Sequence, residues 1–313
     1  MNTHIRRLTL AAGCLLAASL TATATPLKRS DLAADPAWVA HIDVDALLAT
    51  SIGQYLQGEL AKPEAQAKLA AFQAIVGFDL QKQLHALTLY GTSSTPEDGV
   101  LIVYSDFDAD RLVTLAKAAE DYQSQPHNSH VIHHWIDANK KSQNGVRPRT
   151  YAAIIGARVI FGQRQAAVAA AMDVIDGVSP TLANSTNFPQ LGANAGFIQG
   201  SARKLDLPDT DPNAAMFRLS KLISLDMGEA QGQTKATLTL QANDEITAQL
   251  MGSIGQGLIA LGKLQTSSPE TTKVVNAVSL KQDGASVIIN LTMSSADVIA
   301  AMKADAAKKA AKQ

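Results

Sequence analysis

Short apolar runs with two-residue periodicity, joined in pairs by tight turns, alternate along this chain with alanine-rich runs of helical periodicity. Alternation at a period of two marks a strand, and apolar residues at i, i+3, i+4 and i+7 mark a helix. Residues 38–44, Trp38-Val39-Ala40-His41-Ile42-Asp43-Val44, read as the first strand. Helical runs follow over 51–60 and 63–76, the second with Pro63 in its first turn, where a missing N–H costs little. Strands are expected over 85–90 and 100–104, around the turn Pro96-Glu97-Asp98-Gly99. A helix should open at Asp108 and carry the stripe Leu112, Leu115, Ala116, Ala119. Residues 130–137 read as strand, and 151–155 with 158–162 as a hairpin around Gly156-Ala157. A helix over 165–175 should stop at Gly177.

The same order then recurs. A strand is expected over 196–202, a short helix near 214–221, and strands over 223–227 and 236–241 around Gln231-Gly232. A helix over 245–264 follows, then strands over 278–281 and 287–293 joined by Asp283-Gly284. The last helix should be capped by Ser294, with Asp297 in a capping-box position. The pattern predicts an α+β fold of two similar halves, each of mostly antiparallel sheet with helices packed on one face. Matched order with little residue identity points to internal duplication. The expected divisions are 1–24 signal peptide, 25–178 first half, 179–194 a Ser/Asn/Pro-rich linker, and 195–313 second half.

The N-terminus bounds the compartment. His4-Ile5-Arg6-Arg7 precedes an apolar core from Leu8 to Leu20, and Ala22-Thr23-Ala24 follows. A basic start, a short apolar core and Ala-x-Ala form a secretory signal, with cleavage expected after Ala24. The core is shorter than the ~20 apolar residues of a membrane span, so no transmembrane span is expected in the mature protein. The expected location is periplasmic or secreted. Leu10-Ala11-Ala12-Gly13-Cys14 offers a lipoprotein box as the less favoured reading, since Leu15 to Leu20 would then stay on the mature chain. Cys14 is the chain's one cysteine, so a mature protein starting at Thr25 has no disulfides and no thiol chemistry. Losing Arg6 and Arg7 takes the formal charge from −1 to −3. That balance argues against a nucleic-acid partner, which would need a basic excess to neutralise phosphates. With aromatics at 4% of residues, base or sugar stacking platforms are not expected either.

The chemistry-bearing residues do not assemble into a site. His127, His130, His133 and His134 lie close together, with Asp137 behind them. On a strand, His130 and His134 share one face about 13 Å apart at ~3.3 Å per residue, and His133 points to the other with Trp135. Metal–ligand bonds near 2 Å cannot bridge that set without a neighbouring strand. There is no Gly-x-Ser-x-Gly elbow, zinc helix or phosphate loop. Ser201 falls inside a strand rather than at a strand-to-helix turn. Gly252, Gly255, Gly257 and Gly262 fall inside a helix, where Ala248, Gly252, Gly255, Ile259 and Gly262 step along one face and favour close packing over a dinucleotide. The strand-end pairs Asp43/Asp45 and Asp106/Asp108 could hold a cation, but helix capping is the commoner use of such residues. No catalytic, cofactor-binding or metal residue is therefore assigned, and no cofactor is expected.

The run Asp35-Pro36-Ala37-Trp38-Val39-Ala40-His41-Ile42-Asp43-Val44-Asp45-Ala46-Leu47 and the step Phe161-Gly162-Gln163 into an alanine-rich helix resemble exported bacterial proteins of unknown function. The resemblance implies export and no activity. The expected role is a non-enzymatic binding or scaffold protein of the cell envelope with an unspecified protein or small-molecule partner. The alternatives are an exported hydrolase or metal-dependent enzyme, and a periplasmic carrier of a small apolar ligand held between sheet and alanine-rich helices.

Overall fold

The computed structural model describes residues 24–138, 147–194, 196–203, 215–264 and 269–310. The expected signal segment and Cys14 lie outside them. Among the described residues twelve strands form one open antiparallel sheet, so the class is α+β. The strands are β1 (Trp38–Asp43), β2 (Leu84–Gly91), β3 (Gly99–Ser105), β4 (Gln123–His127), β5 (His130–Ile136), β6 (Arg149–Ile155), β7 (Arg158–Gly162), β8 (Ile198–Ala202), β9 (Leu222–Ala230), β10 (Gln233–Gln241), β11 (Val278–Asp283) and β12 (Ser286–Ser294). Their order is β11-β12-β10-β9-β8-β1-β2-β3-β7-β6-β5-β4. The helices are α1 (Val44–Leu48), α2 (Ser51–Leu60), α3 (Pro63–Val76), α4 (Leu80–Gln83), α5 (Ala109–Lys117), α6 (Gln165–Ile175), α7 (Ala215–Arg218), α8 (Glu245–Leu264), α9 (Pro269–Ala277) and α10 (Ser295–Ala310).

Local chemistry sets the boundaries. Asp108 accepts from the Arg111 amide at 3.1 Å and starts α5. Ser294 accepts from the Asp297 amide at 3.1 Å while its hydroxyl donates to the Asp297 carboxylate at 2.7 Å, which closes the first turn of α10. Gln231 and Gly232, both at positive φ, turn β9 into β10, the two-residue hairpin geometry whose twist matches the strands.

The register divides the sheet into two unlike faces. One row runs Ile132–Ala153–Ile160–Ile102 across β5, β6, β7 and β3. It continues as Thr88–His41–Gln199–Asp226–Thr237 across β2, β1, β8, β9 and β10. Its hydrocarbon part is covered by α6, whose Val168, Ala171 and Met172 are fully buried in the larger core. Gly162 permits that crossing, because a Cβ there would lie 2.8 Å from Val168 Cγ2. The segment 182–191 packs into the same core through Leu182, Phe188 and Leu191.

The opposite face carries the row Ala152–Phe161–Leu101–Leu89–Ala40–Gly200–Leu225–Leu238–Ile289–Leu280, apolar from β6 to β11. Helix α8 covers its far end, with Ala248 and Met251 in a second, smaller core with Leu240 and Val287. Helix α5 covers the near end, on the side of the sheet opposite α6.

Candidate functional site

Helix α5 has the clearest apolar stripe in the chain, yet none of its side chains is buried. Leu112, Leu115, Ala116 and Ala119, the four residues of the sequence stripe, instead line a cavity of about 240 Å³. Val113 joins them, and the sheet supplies Ala152, Ile154, Val159, Phe161, Trp135 and His133. Beyond Phe161 the surface continues along the apolar row to Leu101 and Leu89. Leu89 keeps 41% of its surface exposed there. From β5 to β2 this path spans four strand spacings, about 19 Å at ~4.8 Å each.

His133 carries the polar edge of a wall that is otherwise hydrocarbon apart from the Trp135 indole. Strand alternation turns it away from His130 and His134 and into the cavity beside Trp135, where its Nδ1 lies 2.8 Å from the Tyr122 hydroxyl. The two rings stack with centroids 5.9 Å apart. Burial, helped by the nearby Lys117 ammonium, holds its pKa below the usual histidine value. The imidazole is therefore neutral near pH 7.

The ends of α5 are pinned by polar contacts. His85 Nε2 lies 3.0 Å from Asp106, just before the helix, and its Nδ1 lies 3.1 Å from Asp45 on α1. Thr25 Oγ1 donates to the same Asp45 at 3.0 Å. Burial lowers the His85 pKa, but Asp106 and Asp45 overcome it and the net shift is upward. Each strand-end aspartate pair thus splits its work: Asp43 and Asp108 cap helices, while Asp45 and Asp106 meet at His85. Nothing in the sequence brings those three residues together. Beyond the helix, Arg147 pairs with Glu120 and Arg149 with Asp121.

The remaining histidines serve the other face. His127 Nε2 lies 2.8 Å from Asp173 and His130 Nε2 lies 3.1 Å from Asp176, fastening the β4–β5 hairpin to α6. His134 Nδ1 accepts from Arg149 Nε at 3.1 Å. Among the described residues no group of three or more His, Cys, Asp or Glu side chains is placed to hold a metal ion. Ser201 faces the Ser224 hydroxyl at 3.1 Å, and neither serine is hydrogen-bonded to a histidine among the described residues. In α8, Gly255 faces Leu280 and Met216, a packing contact rather than a phosphate cradle. No described helix is long and apolar enough to cross a membrane.

No protein-family model matches the chain. A search of curated proteins also gives no match. Among solved structures, crystal forms III, I and IV of TP0453 are similar, with TM-scores of 0.46, 0.45 and 0.43 at 9%, 10% and 10% identity. The alignments cover 88%, 90% and 89% of this chain and 97%, 98% and 97% of theirs. No functional residue is carried across at that distance.

Proposed function

We propose that this chain is an exported, non-enzymatic binding protein that holds a slim apolar ligand between α5 and the sheet. The supporting observation is the cavity itself. An amphipathic helix that merely completed a core would bury its stripe, whereas Leu112, Leu115 and Ala116, with Ala119 just past the helix end, line a cavity over an apolar sheet. Apolar walls with a few placed polar groups are the usual form of a small-molecule site. At about 240 Å³ the cavity is smaller than the ~300–1,000 Å³ of drug-sized pockets, which suits a chain more than a ring system. Export to the periplasm or beyond rests on the basic and apolar N-terminus ending at Ala24. Duplication belongs to the same proposal: outward from the β1–β8 pair the strands run β1-β2-β3-β7-β6 on one side, where β5 and β4 are added beyond, and β8-β9-β10-β12-β11 on the other.

The test is native mass spectrometry of protein exported by its own signal, followed by titration with an environment-sensitive apolar dye read at Trp135. We expect one apolar molecule per chain, or one dye site in stripped protein. Leu115→Asp should weaken binding at least tenfold by placing a charge against hydrocarbon. Dye affinity that is absent, or indifferent to Leu115→Asp, would remove the cavity as the site.

A further inference from the structure

We infer that the ligand of the α5 cavity is an anionic single-chain amphiphile, with its oxyanion head held by His133 and Lys117 and its chain along Ala152, Phe161 and Leu101. The inference rests on the apolar-cavity reading and deepens it. Three observations carry it. His133 lines the cavity and is held in place by the Tyr122 hydroxyl at 2.8 Å. When that hydroxyl donates to Nδ1, the neutral ring carries its proton on Nε2, so it presents a donor rather than an acceptor. Lys117, at the end of α5, is exposed and forms no ion pair among the described residues. It follows the cavity-lining Ala116 in the helix that packs on β5, and its charge disfavours protonation of His133.

The charge balance of the rim points the same way. Glu120 and Asp121 are each matched by an arginine, Arg147 and Arg149. Among the described residues, Lys117 is the charge of that group without an ion pair. A neutral chain would gain nothing from it, and a cationic head would be repelled. An oxyanion accepts from His133 and pairs with Lys117, while the apolar row leads its chain away from the charge.

Decanoate and decanol, which share a chain length and differ in the head, test this by isothermal titration at pH 7.5 and low salt. Hydrogen bonds to a charged group are worth more than those to a neutral one, so decanoate should bind about tenfold more tightly. In the double variant Lys117→Gln/His133→Phe, which keeps a ring in the cavity wall, that preference should fall to about twofold or less. Lys117→Gln alone changes an exposed side chain, so it reads the charge without a core substitution; the ratio should drop several-fold. Lys68→Gln, on α3, should leave the ratio unchanged. Equal affinities in the unmodified protein would overturn the inference while the cavity reading stands, as would a preference that survives the double variant. Binding of neither compound would remove both.

Discussion

At the scale of single residues, the strongest polar commitments lie away from the cavity. Arg29 donates to five backbone carbonyls, those of Phe188, Leu191, Leu182, Ser185 and Asn187, at 2.7–3.2 Å. The Leu182 and Phe188 carbonyls also accept backbone N–H groups from within the segment, so the guanidinium matters most for those of Ser185, Asn187 and Leu191. Arg29→Ala should cost about 2–4 kcal/mol, because buried acceptors left unmade are more costly than the net value of each bond. A urea midpoint that falls at unchanged slope would check it. His85 and His133 give opposite pH signatures. The His85 pKa is raised in the fold, so its stabilisation is fully present below the unfolded value near 6.5 and is lost as pH rises through the folded value. The His133 pKa is lowered, so its contribution is present above about 6.5 and is lost as pH falls through its folded value. His85→Gln should therefore cost more stability at pH 5.5 than at pH 8.5, and His133→Phe should remove part of the acid destabilisation. Proton titration of the two imidazoles by NMR reads both directions; a His85 midpoint below 6.5 would contradict the clamp.

At the scale of elements, what the sequence made legible depended on whether the cause is local. The α6 and α8 spans follow from periodicity, the α3 span from helix-forming residues between Pro63 and the left-handed Gly77, and the Asp108 and Ser294 caps from residue type alone. Strand β4 was not legible. Gln123-Ser124-Gln125-Pro126-His127 has no apolar alternation and contains a proline, which is tolerated because β4 is an edge strand with one neighbour. Helix α9 was also missed, since Pro269-Glu270-Thr271-Thr272 reads as loop. The α5 stripe was visible, but the void beneath it was not, because a stripe does not say how closely its partner approaches. The glycines of α8 allow a quantitative test. A Cβ on Gly257 would meet nothing within 4 Å, whereas one on Gly255 would lie 2.4 Å from Leu280 Cδ1 and 3.1 Å from Met216 Cε. Gly257→Ala should thus raise stability by about 0.5–1 kcal/mol through helix propensity. Gly255→Val should lower it by about 1–3 kcal/mol through overpacking. Thermal midpoints that move in the same direction would refute the assignment of that face.

At the scale of the molecule, one continuous sheet carries two separate cores. The larger lies between α6 and the sheet and includes Ile102, Ile132 and Ile160; the smaller lies between α8 and the sheet and includes Leu240, Met251 and Val287. Between them, on the α6 side, the sheet is polar: His41 meets Thr88 at 2.9 Å, Gln199 bonds the Gly192 amide, and Ser201 meets Ser224. The alternation of elements made the α+β class legible, but the joining of all strands into one sheet was not, because pairing β1 with β8 depends on contacts about 160 residues apart in sequence. Backbone bonds across that pair hold the halves in register, but little hydrocarbon is shared, and burial of hydrocarbon is the chief source of cooperativity. The smaller core should therefore open first. Amides of β9, β10 and β12 should exchange through an opening of lower free energy than those of β3, β6 and β7. Both tryptophans, Trp38 and Trp135, precede β8, so their fluorescence should report a urea midpoint above the one that begins the loss of far-ultraviolet dichroism. Coincident transitions, with one opening free energy for the amides of both sets, would instead mean that the β1–β8 ladder and its polar contacts suffice to make the whole sheet a single cooperative unit.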